Sequence, residues 1–174
     1  ITKFLCYEAL KNIKTREVDV QTPLATARCH KIDTDLVVVP ILRAGVGMLE
    51  GILELVPTAR VGFVGLYRDE ETKQPVSYYE RFPPQTKGGT CIIIDPMLAT
   101  GGSTVAAIDV LKKAGARQIV VICIVTCQEG LSLVEATHPD VPIYTASIDE
   151  RLDDNKYIVP GLGDAGDRLF GTSH

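Results

Sequence analysis

The chain has 174 residues, 45% of them apolar and 23% charged, the balance of one globular domain with a real core. Its net charge of −4 argues against a broad non-specific nucleic-acid surface and leaves room only for a local basic site. No apolar run approaches the length of a membrane span, and none reads as a secretory signal.

The first residues, "TKFLCYEALKNI" from Thr2, are amphipathic, and the start at Ile1 rather than Met points to a missing N-terminal segment. Short, nearly continuous apolar runs then recur: "LVVVPIL" (36–42), "VGFVGLY" (61–67), "CIIID" (91–95), "IVVICIVT" (119–126) and "PIYTASI" (142–148). Rich in Val and Ile and without strict alternation, they read as strands covered on both faces. Helical patterns separate most of them, at 46–55, 103–114 and 130–138. The alternation predicts an α/β fold with a mostly parallel twisted sheet flanked by helices.

One connection breaks that rhythm. Residues 68–84 are polar and proline-bearing around a strand-like "VSYYERF", and they read as a protruding β-hairpin or flexible arm, either a functional lid or a plain surface hairpin. The five cysteines are odd in number, and Cys91 and Cys123 sit inside apolar runs, which fits buried thiols in a reducing cytoplasm better than a disulfide framework. Cys123-x-x-x-Cys127 lacks a partner pair, so zinc is not expected, and no protein metal site is predicted.

In open α/β sheets ligands sit beyond the carboxyl ends of the strands. Three ends carry unusual residues. The first is "IIIDPMLATGGSTV", in which a buried strand ends at Asp95 and a helix begins after Gly102. Thr100, Gly101, Gly102, Ser103 and Thr104 can form a cup of backbone N–H groups where the helix dipole favours a phosphate. The same residues also suit a tight turn with a capped helix. The second is "ILRAGVG", where Arg43 stands as an anion clamp or a surface arginine, and the third places Arg68 at the end of "VGLYR". Near the C-terminus, Gly161 to Gly166 spells G-x-G-x-x-G, but the eight residues beyond it cannot supply a helix and a returning strand, so a dinucleotide site is excluded.

Together, "PILRAG" (40–45), "YRDEET" (67–72), "DPMLATGGS" (95–103), "HPDV" (138–141) and "YIVPGLGDAGDRLFGT" (157–172) resemble, in order, the uracil phosphoribosyltransferase family of the type I phosphoribosyltransferases. The resemblance spans nearly the whole chain as a single domain, with the family's N-terminal helical segment absent and the 68–84 arm within it. It implies that uracil and phosphoribosyl pyrophosphate (PRPP) give UMP and pyrophosphate. It also implies that Arg43 and Arg68 bind the pyrophosphate side of PRPP. The segment Asp95, Pro96, Met97, Leu98, Ala99, Thr100, Gly101, Gly102 and Ser103 would bind PRPP, with Asp95 near the ribose hydroxyls and Ala99 to Ser103 on the 5′-phosphate. Ile158, Gly163, Asp164 and Ala165 would bind uracil, with Asp164 also reaching PRPP. Arg43, Arg68 and Asp164 are the expected catalytic residues. Asp164 either accepts the N1 proton or organises Mg²⁺ and water, the second being favoured, while Asp167 reads as a loop cap. Mg²⁺ is expected to arrive with PRPP, because Pro96 stands where many type I enzymes carry a second acid. A GTP activator and a homodimer or larger homo-oligomer are further implications.

The glycine-bearing loop then has a use. Uracil's edge runs acceptor, donor, acceptor, and glycine lets backbone N–H and C=O groups approach it closely. One departure stands beside it: Asn155-Lys156 occupies the place of an expected His-Gly. A purine or orotate transferase and an RNA-binding regulator are the rival readings, the latter disfavoured by scattered cations and a pI near 5.4.

Overall fold

The computed structural model describes residues 1–68 and 75–172. The tip of the expected arm, 69–74, lies outside the described residues, as do the side chain of Arg68 and residues 173–174.

In chain order the elements are α1 (Thr2–Leu10), β1 (Thr15–Gln21), β2 (Thr26–Ile32), β3 (Leu36–Leu42), α2 (Val46–Leu55), β4 (Arg60–Val61), β5 (Phe63–Arg68) and β6 (Pro75–Arg81). There follow β7 (Thr90–Ile94), β8 (Met97–Leu98), α3 (Gly102–Lys113), β9 (Gln118–Cys127), α4 (Gln128–Thr137), β10 (Ile143–Asp149), β11 (Arg151–Leu152), β12 (Ile158–Val159) and α5 (Ala165–Phe170). The main sheet runs β10-β9-β7-β3-β5-β6. Its pairings are parallel except that β6 returns antiparallel to β5. The mostly parallel sheet expected from the apolar runs is therefore present.

The absence of alternation has a direct cause. On β3, Val37, Val39 and Ile41 pack with Ile93, Ile108, Leu111 and Val134 in one core cluster. Leu36 and Val38 pack with Ile92, Ile94, Met48 and Ile52 in another. Odd and even residues thus enter different cores, one under α3 and α4 and the other under α1 and α2.

The run at 61–67 splits into β4 and β5, and Pro40 explains the break. β4 pairs β3 at Val37 and Val38, and β5 resumes the same register at Ile41 and Leu42. The gap falls opposite Val39 and Pro40, where proline has no N–H to give to a ladder. β5 and β6 form the hairpin expected at the start of the arm, but β6 is a sheet-edge strand, with a register shift between Gly65 and Leu66. A second hairpin, β1–β2, forms its own two-stranded sheet.

The "HPDV" turn ties two helices together. Lys112 Nζ at the end of α3 meets His138 Nδ1 at 3.2 Å and Asp140 Oδ1 at 2.7 Å. His138 is buried, and its Nε2 lies 3.3 Å from Asp109 Oδ1. That contact makes no hydrogen bond, so it counts as proximity of charge only.

Ile93 is fully buried at the centre of the sheet. Ile93→Ala should lower unfolding free energy by about 2–5 kcal/mol in a urea titration, because a rigid sheet cannot collapse into the cavity.

Candidate active site

The carboxyl ends of β3, β5 and β7 deliver Arg43, Arg68 and Asp95 to one edge of the sheet. The loop after β7 is not free. Pro96 C=O accepts from Ile124 and Val125 N–H, each at 3.0 Å, and β8 then pairs with β9 at Val125 and Thr126. Thr126 Oγ1 donates to Leu98 C=O at 2.8 Å, and Cys127 Sγ donates to Ala99 C=O at 3.3 Å. A Cβ at Gly130, on α4, would lie 2.3 Å from Ala99 O. Only glycine allows that approach. β9 and α4 therefore back the loop from behind.

The loop ends at Gly101, with φ of 85°, which begins α3 without any side-chain cap. The turn-with-cap alternative needs a side chain to satisfy the first N–H groups, and among the described residues none does so. The N-terminus of this twelve-residue helix has the dipole and the N–H groups that in general suit an anion. Thr104 sits within α3 and is buried. Thr100, Gly102 and Ser103 keep exposed surface, whereas Pro96 and Leu98 are buried as backing.

The second wall comes from the C-terminal segment. β11 and β12 pair as a small hairpin, and Glu129 of α4 accepts from Leu152 N–H at 3.2 Å. Asp153 accepts from Tyr157 N–H at 2.8 Å and so closes the turn between the two strands. Lys156 in that turn has φ of 70°, the left-handed region where the family's expected glycine would sit without penalty. The following peptide, Val159–Pro160, is cis, and Gly161 N–H bonds Asp149 Oδ2 at 2.9 Å. Asp164 caps α5, accepting from Asp167 N–H at 2.8 Å.

The two walls enclose one cavity of about 220 Å³. Asp95, Met97 and Ala99 line it from the loop after β7, and Ile158, Gly163, Asp164 and Ala165 line it from the C-terminal loop. Gly163, with φ of 71°, has open space where a Cβ would stand. Of the residues expected to bind PRPP, Asp95, Met97, Ala99 and Asp164 thus share a cavity with the expected uracil residues, whereas Pro96, Leu98, Thr100, Gly101, Gly102 and Ser103 are not in its lining. Ala44, Lys156, Tyr157 and Gly166 complete the lining and were not in the predicted set. Lys156 and Tyr157 flank the quoted loop and were within reach of sequence reasoning. Ala44 follows Arg43 directly, but nothing in its chemistry marks it.

Arg43 lies beside this cavity rather than in its lining, on a turn whose Leu42–Arg43 peptide is cis. Its Nη2 is 3.0 Å from Asp167 Oδ1 and its Nη1 donates to Thr172 Oγ1 at 3.1 Å. For Arg68 the backbone position, at the end of β5, is the whole description.

Asp95 retains only part of its exposure at the cavity floor. Removal from water pushes its carboxyl up to about 7; a bond from Met97 N–H opposes the shift and the charge of Asp164 adds to it. Among the described residues, no three His, Cys, Asp or Glu side chains cluster to hold a metal ion. Asp95 and Asp164 both line the cavity, and each already accepts a backbone N–H, from Met97 and Asp167 respectively.

The sequence model of the uracil phosphoribosyltransferase family matches residues 1–172. A uracil phosphoribosyltransferase of Dictyoglomus thermophilum is 54% identical over 173 residues, covering 99% of this chain and 84% of that protein. The Geobacillus kaustophilus enzyme of the same name is 53% identical over 173 residues, covering 99% and 83%. A solved protein of Aquifex aeolicus superposes with a TM-score of 0.93 at 43% identity, over 99% of this chain and 83% of that one. A hypoxanthine-guanine phosphoribosyltransferase of Bacillus anthracis, 10% identical, superposes with a TM-score of 0.61 over 88% and 75%, and so shares the fold.

Asp95 yields a sign-defined prediction. Its carboxyl binds protons more tightly folded than unfolded, so stability falls as pH rises from about 4 to about 7 and is level above that. Asp95→Asn should therefore melt at a higher temperature than the parent at pH 8, with the gain shrinking towards pH 4 in a calorimetric series.

Proposed function

Because the chain belongs to the uracil phosphoribosyltransferase family, we propose that it is a pentosyltransferase of pyrimidine salvage that joins uracil to PRPP, giving UMP and pyrophosphate. One observation carries the reading: Asp95, Met97 and Ala99 of the loop after β7 and residues of the C-terminal glycine loop line the same cavity. A ribosyl group anchored at one is within reach of a base held at the other.

The cup of Ala99 to Ser103 binds the 5′-phosphate through backbone N–H groups at the start of α3. This anchoring supplies rate through positioning. Asp95, as a carboxylate, accepts from the ribose hydroxyls. The C1–oxygen bond to pyrophosphate breaks ahead of full bonding from N1 of uracil, so the ribose passes through an oxocarbenium-like state. Negative charge grows on the departing pyrophosphate, and Arg43 and Arg68 stabilise it. The N1 proton leaves to solvent or to Asp164, whose main part is to order water and the phosphates. Mg²⁺ bound to PRPP would add charge neutralisation on the pyrophosphate, with Asp95 and Asp164 as the carboxylates available to its shell.

Uracil is read by main chain between Ile158 and Ala165. Cytosine presents the wrong donor and acceptor at two positions, each worth roughly 1–3 kcal/mol when buried unmatched. The β5–β6 hairpin is the base of the arm read at 68–84, whose tip lies outside the described residues. The family resemblance further suggests activation by GTP and a homodimer or larger homo-oligomer. The exposed Phe4 and Tyr7 on α1, and Leu24, 97% exposed at the β1–β2 turn, support self-association. A cytoplasmic setting agrees with five unpaired cysteines and with the lack, among the described residues, of any helix able to cross a membrane.

The test is UMP formation from uracil and radiolabelled PRPP, with cytosine and hypoxanthine as controls. Uracil should be converted and both controls should give less than about one hundredth of that rate; equal use of hypoxanthine would reject the base assignment. In the same assay Arg43→Ala should cut kcat/KM by about 10²-fold or more while leaving the melting temperature near the parent's. Asp164→Asn should be more damaging than Asp167→Asn, and equal mild losses would sink the assigned roles.

A further inference from the structure

The sequence marks Asp167 as a loop cap, yet its carboxylate faces Arg43, 124 positions earlier in the chain. Asp167 Oδ1 lies 3.0 Å from Arg43 Nη2, and Thr172 Oγ1 both receives Arg43 Nη1–H at 3.1 Å and donates to Asp167 Oδ1 at 2.6 Å. The three groups form a closed triangle. The acid is the fixed member: its side chain is 19% exposed against 53% for Arg43. Its backbone is fixed as well, because Asp167 N–H bonds the Asp164 carboxylate at 2.8 Å. A Cβ on Gly166 would stand 3.7 Å from Arg43 Nη2, so the guanidinium lies against the first turn of α5.

Such a half-open ion pair contributes only about 0–1 kcal/mol to folding, so its consequence is to be sought in orientation. A guanidinium carries five N–H donors in a rigid fork. Asp167 and Thr172 engage one each, and the half-exposed side chain keeps further donors for an anion. We infer that Asp167 and Thr172 are positioning residues that fix the donor fork of Arg43 for pyrophosphate and join it mechanically to the uracil loop through Asp164. The inference rests on the PRPP-binding role proposed above for Arg43. It adds that the pyrophosphate clamp and the base loop are one unit, built from residues at opposite ends of the chain.

The experiment is a double-mutant cycle on the full chain, with the Kd of PRPP from calorimetry in the presence of Mg²⁺ and steady-state kinetics alongside. Asp167→Ala should raise the Kd and KM for PRPP about tenfold while the KM for uracil moves less than about twofold. Asp167→Asn keeps an acceptor oxygen and should recover PRPP affinity to within about threefold of the parent. In an Arg43→Ala background, adding Asp167→Ala should change PRPP affinity by less than about twofold. Full additivity in that cycle overturns the inference. So does an equal loss for both substrates with a lowered melting temperature, which marks a merely structural cap. If Asp167→Ala does not fold, Thr172→Val completes the cycle, with an expected rise of about threefold that Arg43→Ala abolishes. Calorimetry separates the two levels. A parent that binds PRPP with the expected coupling but forms no UMP refutes the reaction and keeps the positioning role. A parent that forms UMP with additive variants keeps the reaction and refutes the positioning role.

Discussion

The carbonyl groups of Leu98 and Ala99 are turned inward and held by the side chains of Thr126 and Cys127. The rest of the site depends on that constraint. A loop that leaves a buried strand has no reason of its own to keep one shape. This one is paired to β9 through β8, bonded twice at Pro96, and pressed against Gly130. With its carbonyls engaged behind, its forward side ends at Gly101, where α3 starts without a side-chain cap. The proposed phosphate role rests on that geometry, since a loop already held in place would spare an anion the cost of ordering it.

The opposite wall is built by other means. Strand pairing is minimal there, two residues on each of β11 and β12, and side chains brace the loop instead: Glu129, Asp149 and Asp153 each accept from its backbone. Acids placed outside the cavity hold the main chain, and the main chain lines the cavity. The proposed reading of a small flat base by main chain rests on that division of labour. Lys156 shows the same loop under strain. Its left-handed backbone costs an ordinary side chain about 1–2 kcal/mol, and this chain carries that cost at the cavity rim.

Much of this was legible in the sequence, for a physical reason. β3 and α2 fall at 36–42 and 46–55 as read, because burial on both faces leaves an unbroken apolar run and a single-faced helix leaves a period. The loop after β7 stood out because glycines and hydroxyls at a strand end have few purely structural uses, and the C-terminal loop stood out through the family resemblance; the structure brings Ala99 of the first and Gly163 of the second to one cavity. The β1–β2 hairpin was not, since nearly all its side chains are exposed and no buried face imposes a pattern. α5 was missed as well: six residues are too short to show a period. The pairing of Arg43 with Asp167 was invisible, because nothing along the chain links residues that meet only when the C-terminal helix folds over the β3–α2 turn. Gly130 reads as an ordinary helix residue until the carbonyl beneath it is seen.

The central claim is spatial: a sugar-phosphate cradle and a main-chain base template share one cavity. A crystal structure of the chain with UMP tests it most directly. The phosphate should sit against the backbone of residues 99–103 and the uracil edge against that of 158–165, with the ribose beside Asp95. A phosphate bound elsewhere, or a base without backbone partners in that loop, would contradict it.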